Sequence, residues 1–112
     1  MKNFKRGEIY LCSLGFSYGS EQSGTRPAVV IQNDKGNEHS NNVIVAACTS
    51  KTKRKDLPTN LLIKSAGLHG KTIVQLSHIY TVDKSRLVKR LGSLTDHQML
   101  KLNKCLKESL GV

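Results

Sequence analysis

A small, mainly β, antiparallel barrel with one C-terminal α-helix is the fold class this 112-residue chain predicts. Three observations predict it. About six short apolar or alternating runs are separated by polar, glycine-bearing turns. Helical spacing with a capping signal occurs in one stretch, near the end. The length suffices for one sizeable core but not two, so residues 1–112 read as a single domain.

Each element follows from its own residues. Glu8 to Leu14 alternates enough to be a strand, approached through Arg6-Gly7. Gly15 to Thr25 is a long polar loop. Ala28 to Gln32 is continuous and β-branched, the mark of a buried strand. Pro27 presets an extended start and biases Arg26 toward the β region. Asn33 to Asn42 is polar, with Gly36 and asparagine-rich turns, and predicts a second surface loop. Val43 to Cys48 is a second core strand, and Thr59 to Ile63 a third. Ala66 to Gly70 is a turn; Thr72 to Leu76 is a strand that Ser77 to Thr81 continues. Asp83-Lys84-Ser85 makes a short helical turn before a last strand, Leu87 to Leu91. Thr95 with Gln98 three residues on forms a capping box. Met99, Leu102, Leu106 and Leu110 then recur on one helical face, a stripe for core or dimer contact. Lys101, Lys104 and Lys107 lie off that face, and Gly111 stops the helix.

Composition narrows the function classes. Formal net charge is +10 and the isoelectric point is about 9.8, which favours a polyanionic partner. The charge is uneven: residues 1–50 hold five Lys/Arg against four Asp/Glu, whereas residues 51–112 hold thirteen against four. Cys12, Cys48 and Cys105 are far apart and odd in number, which suggests neither a disulfide framework nor a zinc site. No apolar run reaches membrane-spanning length, and residues 1–6 lack the apolar segment of a secretory signal. These features predict a cytoplasmic protein with free thiols and no membrane contact.

The residues that carry chemistry cluster in two places. Gly19 to Pro27 is a glycine-bounded loop whose lone Arg26 sits at the rim of a strand, under a carboxylate, an amide and hydroxyls from Glu21, Gln22 and Ser20. That pattern suits anion handling; the plainer alternative is a hairpin loop in which Arg26 pairs with Glu21. Phe16 and Tyr18 in the same loop either stack on a nucleobase or close the loop onto the core. Lys51, Lys53, Arg54 and Lys55 follow Thr49 directly and cannot pack in a core. They form either a solvated loop or a phosphate-holding patch beside the strand end.

The run G-S-E-Q-x-G-x-R-P at Gly19 to Pro27 is similar to the signature of the MazF/PemK toxin family. The likeness continues through Val30 to Asp34, Gly36-Asn37, Val45 to Thr49, Leu57 to Thr59, Thr81 to Leu87 and Ser109 to Gly111. It spans nearly the whole chain in order. The resemblance implies an SH3-like barrel assembled as a homodimer. It implies a metal-independent, sequence-specific endoribonuclease toxin that needs no cofactor and cuts single-stranded RNA. Its partner would be a cognate antitoxin whose acidic, disordered tail fills the same basic groove. The family's two principal catalytic residues fall on Arg26 and Thr49.

With aspartates scattered and histidines in four separate segments, metal ligation is not suggested, and attack by the RNA's own 2′-hydroxyl is the route these residues allow. That route needs stabilisation of a pentacoordinate phosphorane, a proton acceptor and a proton donor. The planar fork of Arg26 matches two phosphate oxygens, and Thr49 adds a hydroxyl donor. Guanidinium groups remain protonated and make poor bases, so Glu21 either accepts the proton, orients Arg26 or binds a base edge. Lys51, Lys53, Arg54 and Lys55 would hold the RNA backbone, while Phe16, Ser20, Gln22 and His78 would meet bases. Members of the family often carry an acid–glutamine pair where this chain has Ser77-His78, and an arginine in place of Tyr80. His78 is therefore either a base-contacting residue particular to this chain or a histidine exposed at a strand end. Two other classes stand beside the nuclease: a toxin of the same barrel acting on DNA gyrase, and a binding-only RNA module. The resemblance ties the gyrase class to a tryptophan-containing tail, and this chain has no tryptophan.

Overall fold

A computed structural model describes residues 3–14, 25–64 and 67–112. Its elements are β1 (Glu8–Ser13), β2 (Thr25–Val30), α1 (Asp34–His39), β3 (Asn42–Thr49), β4 (Asn60–Ile63), β5 (Thr72–Asp83), a 3-10 turn (Lys84–Arg86), β6 (Leu87–Ser93) and α2 (Asp96–Leu110). Six strands form one antiparallel sheet in the order β4-β5-β3-β2-β1-β6. The predicted fold class is thus the observed one.

Alternation along the strands sorts side chains to two faces. Ile9, Val29, Ile31, Ala46, Cys48, Leu61, Ile63, Val74, Leu76 and Leu102 form one core, roofed by α2 across β4 and β5. Phe4, Tyr10, Cys12, Ala28, Val30, Val43, Val45, Val82 and Leu87 form a second on the opposite face. Burial on both faces explains the continuous apolar runs of β2 and β3.

Bending brings the sheet edges together. In the β3–β5 ladder Ala46 faces Ile79 but Cys48 faces Val74, so Gln75, Leu76, Ser77 and His78 stand opposite Ala47 alone. This wide bulge turns β5 and lets its first half pair with β4 as well. The turn after β4 then reaches β6. A Cβ on Gly67 would run into the Leu91 carbonyl oxygen, and the backbone there has φ of +87°. Only glycine suits that closure.

Two predicted boundaries are corrected. The second strand begins at Thr25 rather than Ala28 and ends at Val30 rather than Gln32. Pro27 is tolerated because β3 pairs with β2 only from Ala28 onward. At the other end, the Ile31 and Gln32 N–H groups share the Ile44 carbonyl at 3.0 and 3.2 Å, which breaks the ladder. The predicted loop Asn33 to Asn42 contains the helix α1. Polar contacts hold it instead of an apolar stripe. Asn33 caps it by accepting from the Gly36 N–H at 2.7 Å. The buried Asn37 side chain exchanges two 3.0 Å bonds with Gln32. Lys84 Nζ donates to the Asn37 carbonyl at 2.6 Å. The C-terminal helix has its capping box at Thr95 and Gln98 and ends with Gly111 in the left-handed region.

Candidate functional site

The site grows from where three strands end. β1 pairs Cys12 with Arg26, and β2 pairs Ala28 with Ala47, Val29 with Ala46 and Val30 with Val45. That ladder ends at the Ala28–Ala47 pair, which lies two residues from Arg26 on β2 and two residues from Thr49 on β3. By alternation both side chains lie on the face of Ala28, Val30, Val43 and Val45, above an apolar floor. Both are half-buried. The Arg26 guanidinium also lies close enough to Cys48, beside Thr49, to oppose the upward push that burial gives that thiol. Burial prevails, and the Cys48 thiol is pushed up to about 12.

Thr49 is held in a useful orientation. Its Oγ1 accepts the Lys51 backbone N–H at 3.1 Å, which occupies a lone pair and leaves the hydroxyl proton free to point elsewhere. Among the described residues no carboxylate lies in ion-pair contact with Arg26. The predicted Arg26–Glu21 relation falls outside the described residues, as do Phe16, Tyr18, Ser20 and Gln22.

Lys51, Lys53, Arg54 and Lys55 are all exposed in the turn that follows β3. The turn is anchored by the Arg54 carbonyl, which accepts from Leu57 N–H at 3.2 Å and Asn60 Nδ2 at 2.8 Å. Arg54 meets Asp56 at 3.8 Å, but with side chains 66% and 76% exposed that pair is nearly fully solvated. A basic lip therefore begins two residues from Thr49. His78 is exposed on the β5 bulge, its Nδ1 3.1 Å from Ser77 Oγ, while Tyr80 is half-buried against the second core. The bulge stands opposite Ala47, whose β2 partner is Ala28, so it neighbours the Arg26–Thr49 row along the same strands.

The row continues into the Thr81 to Leu87 stretch, where the sequence singled out no site residue. Cys12, the partner of Arg26, pairs on its other side with Leu87 of β6, immediately after Arg86. Reading residues singly gave Arg86 no weight; pairing of the first strand with the last brings it there. Among the described residues no cluster of His, Cys, Asp and Glu could hold a metal ion. No described helix is long and apolar enough to cross a membrane.

Comparisons with known proteins identify the family. A family model described as PemK-like, MazF-like toxin of type II toxin–antitoxin system matches residues 5–110. The chain is 41% identical over 110 residues to an endoribonuclease MazF of Staphylococcus saprophyticus, covering 96% of this chain and 92% of that protein. A mycobacterial endoribonuclease structure superposes with a TM-score of 0.80 at 29% identity, covering 100% of this chain and 95% of that one. Another mycobacterial endoribonuclease, solved in complex with its cognate antitoxin, also gives 0.80 at 29% identity, covering 96% and 95%. The chain belongs to the PemK-like, MazF-like family of toxins of type II toxin–antitoxin systems.

Proposed function

We propose that this chain is an endoribonuclease toxin that cleaves single-stranded RNA through its own 2′-hydroxyl, leaving a 2′,3′-cyclic phosphate and a 5′-hydroxyl. The observation that supports the reading is the β2–β3 ladder, whose last pair, Ala28–Ala47, lies two residues from Arg26 on one strand and two from Thr49 on the other. A phosphodiester seated there would offer two non-bridging oxygens to the guanidinium fork and receive a hydrogen bond from the threonine hydroxyl. As the 2′-oxygen attacks phosphorus, charge grows on those oxygens, and donors already aimed at them stabilise the phosphorane more than the ground state. The P–O5′ bond then breaks, and the departing oxygen takes a proton.

Glu21 is the group assigned to receive the 2′-hydroxyl proton or to hold Arg26 in place. Lys51, Lys53, Arg54 and Lys55 carry the flanking backbone, and sequence preference comes from bases splayed against the loop containing Phe16, Ser20 and Gln22 and against His78. Cleavage needs no metal. The working unit is a cytoplasmic homodimer, silenced when an acidic antitoxin segment occupies the basic lip. The mycobacterial relative bound to its cognate antitoxin supports that pairing.

The test is direct. Purified protein is incubated with a long single-stranded RNA in EDTA, and cut sites and end groups are mapped. Discrete cuts with 5′-hydroxyl ends, lost in Arg26→Ala, are expected. RNA that stays intact across a range of salt overturns the proposal.

A further inference from the structure

Arg86 closes the row that Thr49 and Arg26 begin. Arg26, Cys12 and Leu87 pair in turn across β2, β1 and β6, with Thr49 at the end of the adjoining β3, and Cys12 and Leu87 share the second core with Ala28 and Val30 of the Arg26 strand. Two ladder spacings separate Arg26 from Leu87, about 10 Å. Arg86 itself is exposed. Its charge is felt at the Cys12 thiol, where it opposes the larger effect of burial, so Arg86 stands near the strand partner of Arg26.

Its backbone is held on both sides. Leu87 is fully buried, Asp83 Oδ1 accepts from Ser85 N–H at 2.9 Å, and Lys84 N–H donates to the Asn41 carbonyl at 3.1 Å. Two neighbouring cations are committed elsewhere, Lys84 Nζ to the Asn37 carbonyl and Arg90 to Glu8 at 2.9 Å, while Lys89 is exposed on the same strand as Arg90. Asp83 faces Arg86 without ion-pair contact, and among the described residues the Arg86 side chain meets no carboxylate at such range. A guanidinium on an anchored backbone, with no carboxylate in ion-pair contact among the described residues and at the rim of the proposed phosphate-handling cleft, has one evident ligand class.

We infer that Arg86 binds the phosphate of a nucleotide flanking the scissile linkage, as a second guanidinium in the cleft that anchors substrate and takes no part in bond change. The inference rests on the proposed RNA substrate and deepens it, since it gives the strand a direction across the sheet, from the lip at Lys51 past Arg26 to the edge at β6.

The probe is an oligoribonucleotide spanning a mapped cut site, with a 2′-deoxy residue at the cut so that it binds without being cleaved. Arg86→Gln is expected to weaken binding about tenfold and to reduce the slope of log K against log salt by about 0.7. Arg86→Lys keeps the slope, Lys107→Gln on α2 leaves both values unchanged, and thermal melting of Arg86→Gln matches wild type. In the cleavable RNA, Arg86→Gln raises KM with kcat within about twofold. A single methylphosphonate at the flanking position weakens the wild type as much as the mutation does, and Arg86→Gln no further. Binding and slope equal to wild type in Arg86→Gln overturn the inference even if wild-type protein cuts RNA. If the wild type never cuts, the nuclease reading is overturned, and binding of an uncut single-stranded oligoribonucleotide with a salt slope that Arg86→Gln lowers still upholds a phosphate contact at Arg86.

Discussion

In the proposed reaction Arg26 and Thr49 differ in what each supplies, and substitution should separate the two. Arg26→Ala removes charge and fork together and is expected to lower kcat by about 10²–10³, the usual loss for one oxyanion donor. Arg26→Lys keeps a cation but not the planar pair of donors, so it should recover only part of that loss. Thr49→Val deletes the hydroxyl at nearly constant shape and should lower kcat while leaving KM in place; Thr49→Ser should retain most activity. Single-turnover cleavage of one defined oligoribonucleotide checks all four. The thiols make a second prediction. Burial raises Cys12 to about 11 and Cys48 to about 12, while Cys105 is raised but half-buried. At pH 7.5 a thiol reagent should label Cys105 first and reach the other two only on unfolding. Because the folded values exceed the unfolded one, these thiols contribute stability that is intact below the ordinary thiol range. That stability is lost as pH climbs through about 11 and 12. Urea midpoints between pH 8 and pH 11 should therefore fall less in Cys48→Ala than in wild type.

Elements differ in how local their causes are. The capping box of α2 was legible because Thr95 and Gln98 are three residues apart, and Thr95→Ala should cost about 1 kcal/mol in urea unfolding. By contrast α1 was invisible: its six residues carry no apolar period, and its central Asn37 is held by Gln32, Asp34 and the distant Lys84. The closure at Gly67 was equally hidden, since its reason is a carbonyl of β6. Gly70 has a similar backbone with φ of +70° but open space around it. Gly70→Ala should therefore cost about 1–2 kcal/mol for its left-handed backbone alone. Gly67→Ala should cost clearly more, because Leu91 must also move. Paired denaturant curves distinguish the two.

At the scale of the molecule, charge is distributed to match the site. The lip at Lys51, Lys53, Arg54 and Lys55 follows β3, and among these only Arg54 has a carboxylate near it in the described residues. Neutralising Lys53 should weaken RNA binding at every sequence alike, reducing the salt slope by about 0.7 without shifting the cut site. His78→Gln should act the other way, altering which sequences are cut while leaving the slope unchanged. Mapping cut sites for both variants at two salt concentrations checks the contrast. A mild effect on cleavage from Lys53 and a change in preference from His78 would be the signature of separate backbone and base contacts.

The sequence by itself determined what short-range chemistry can encode: a mainly β chain with one capped C-terminal helix, a basic second half, and Arg26 and Thr49 as the residues to watch. The first three rest on spacing within a few residues or on side-chain type, and the choice of Arg26 with Thr49 rests on the family resemblance of the stretches that hold them. Only the tertiary structure decided how those pieces meet. Strand order set the Arg26 end of β2 beside the Thr49 end of β3, a bulge in β5 left His78 exposed, and pairing of the first strand with the last brought Leu87, next to Arg86, against Cys12. Ladder partners far apart in the chain are chosen by which faces bury together, and that selection is a property of the whole sheet rather than of any segment.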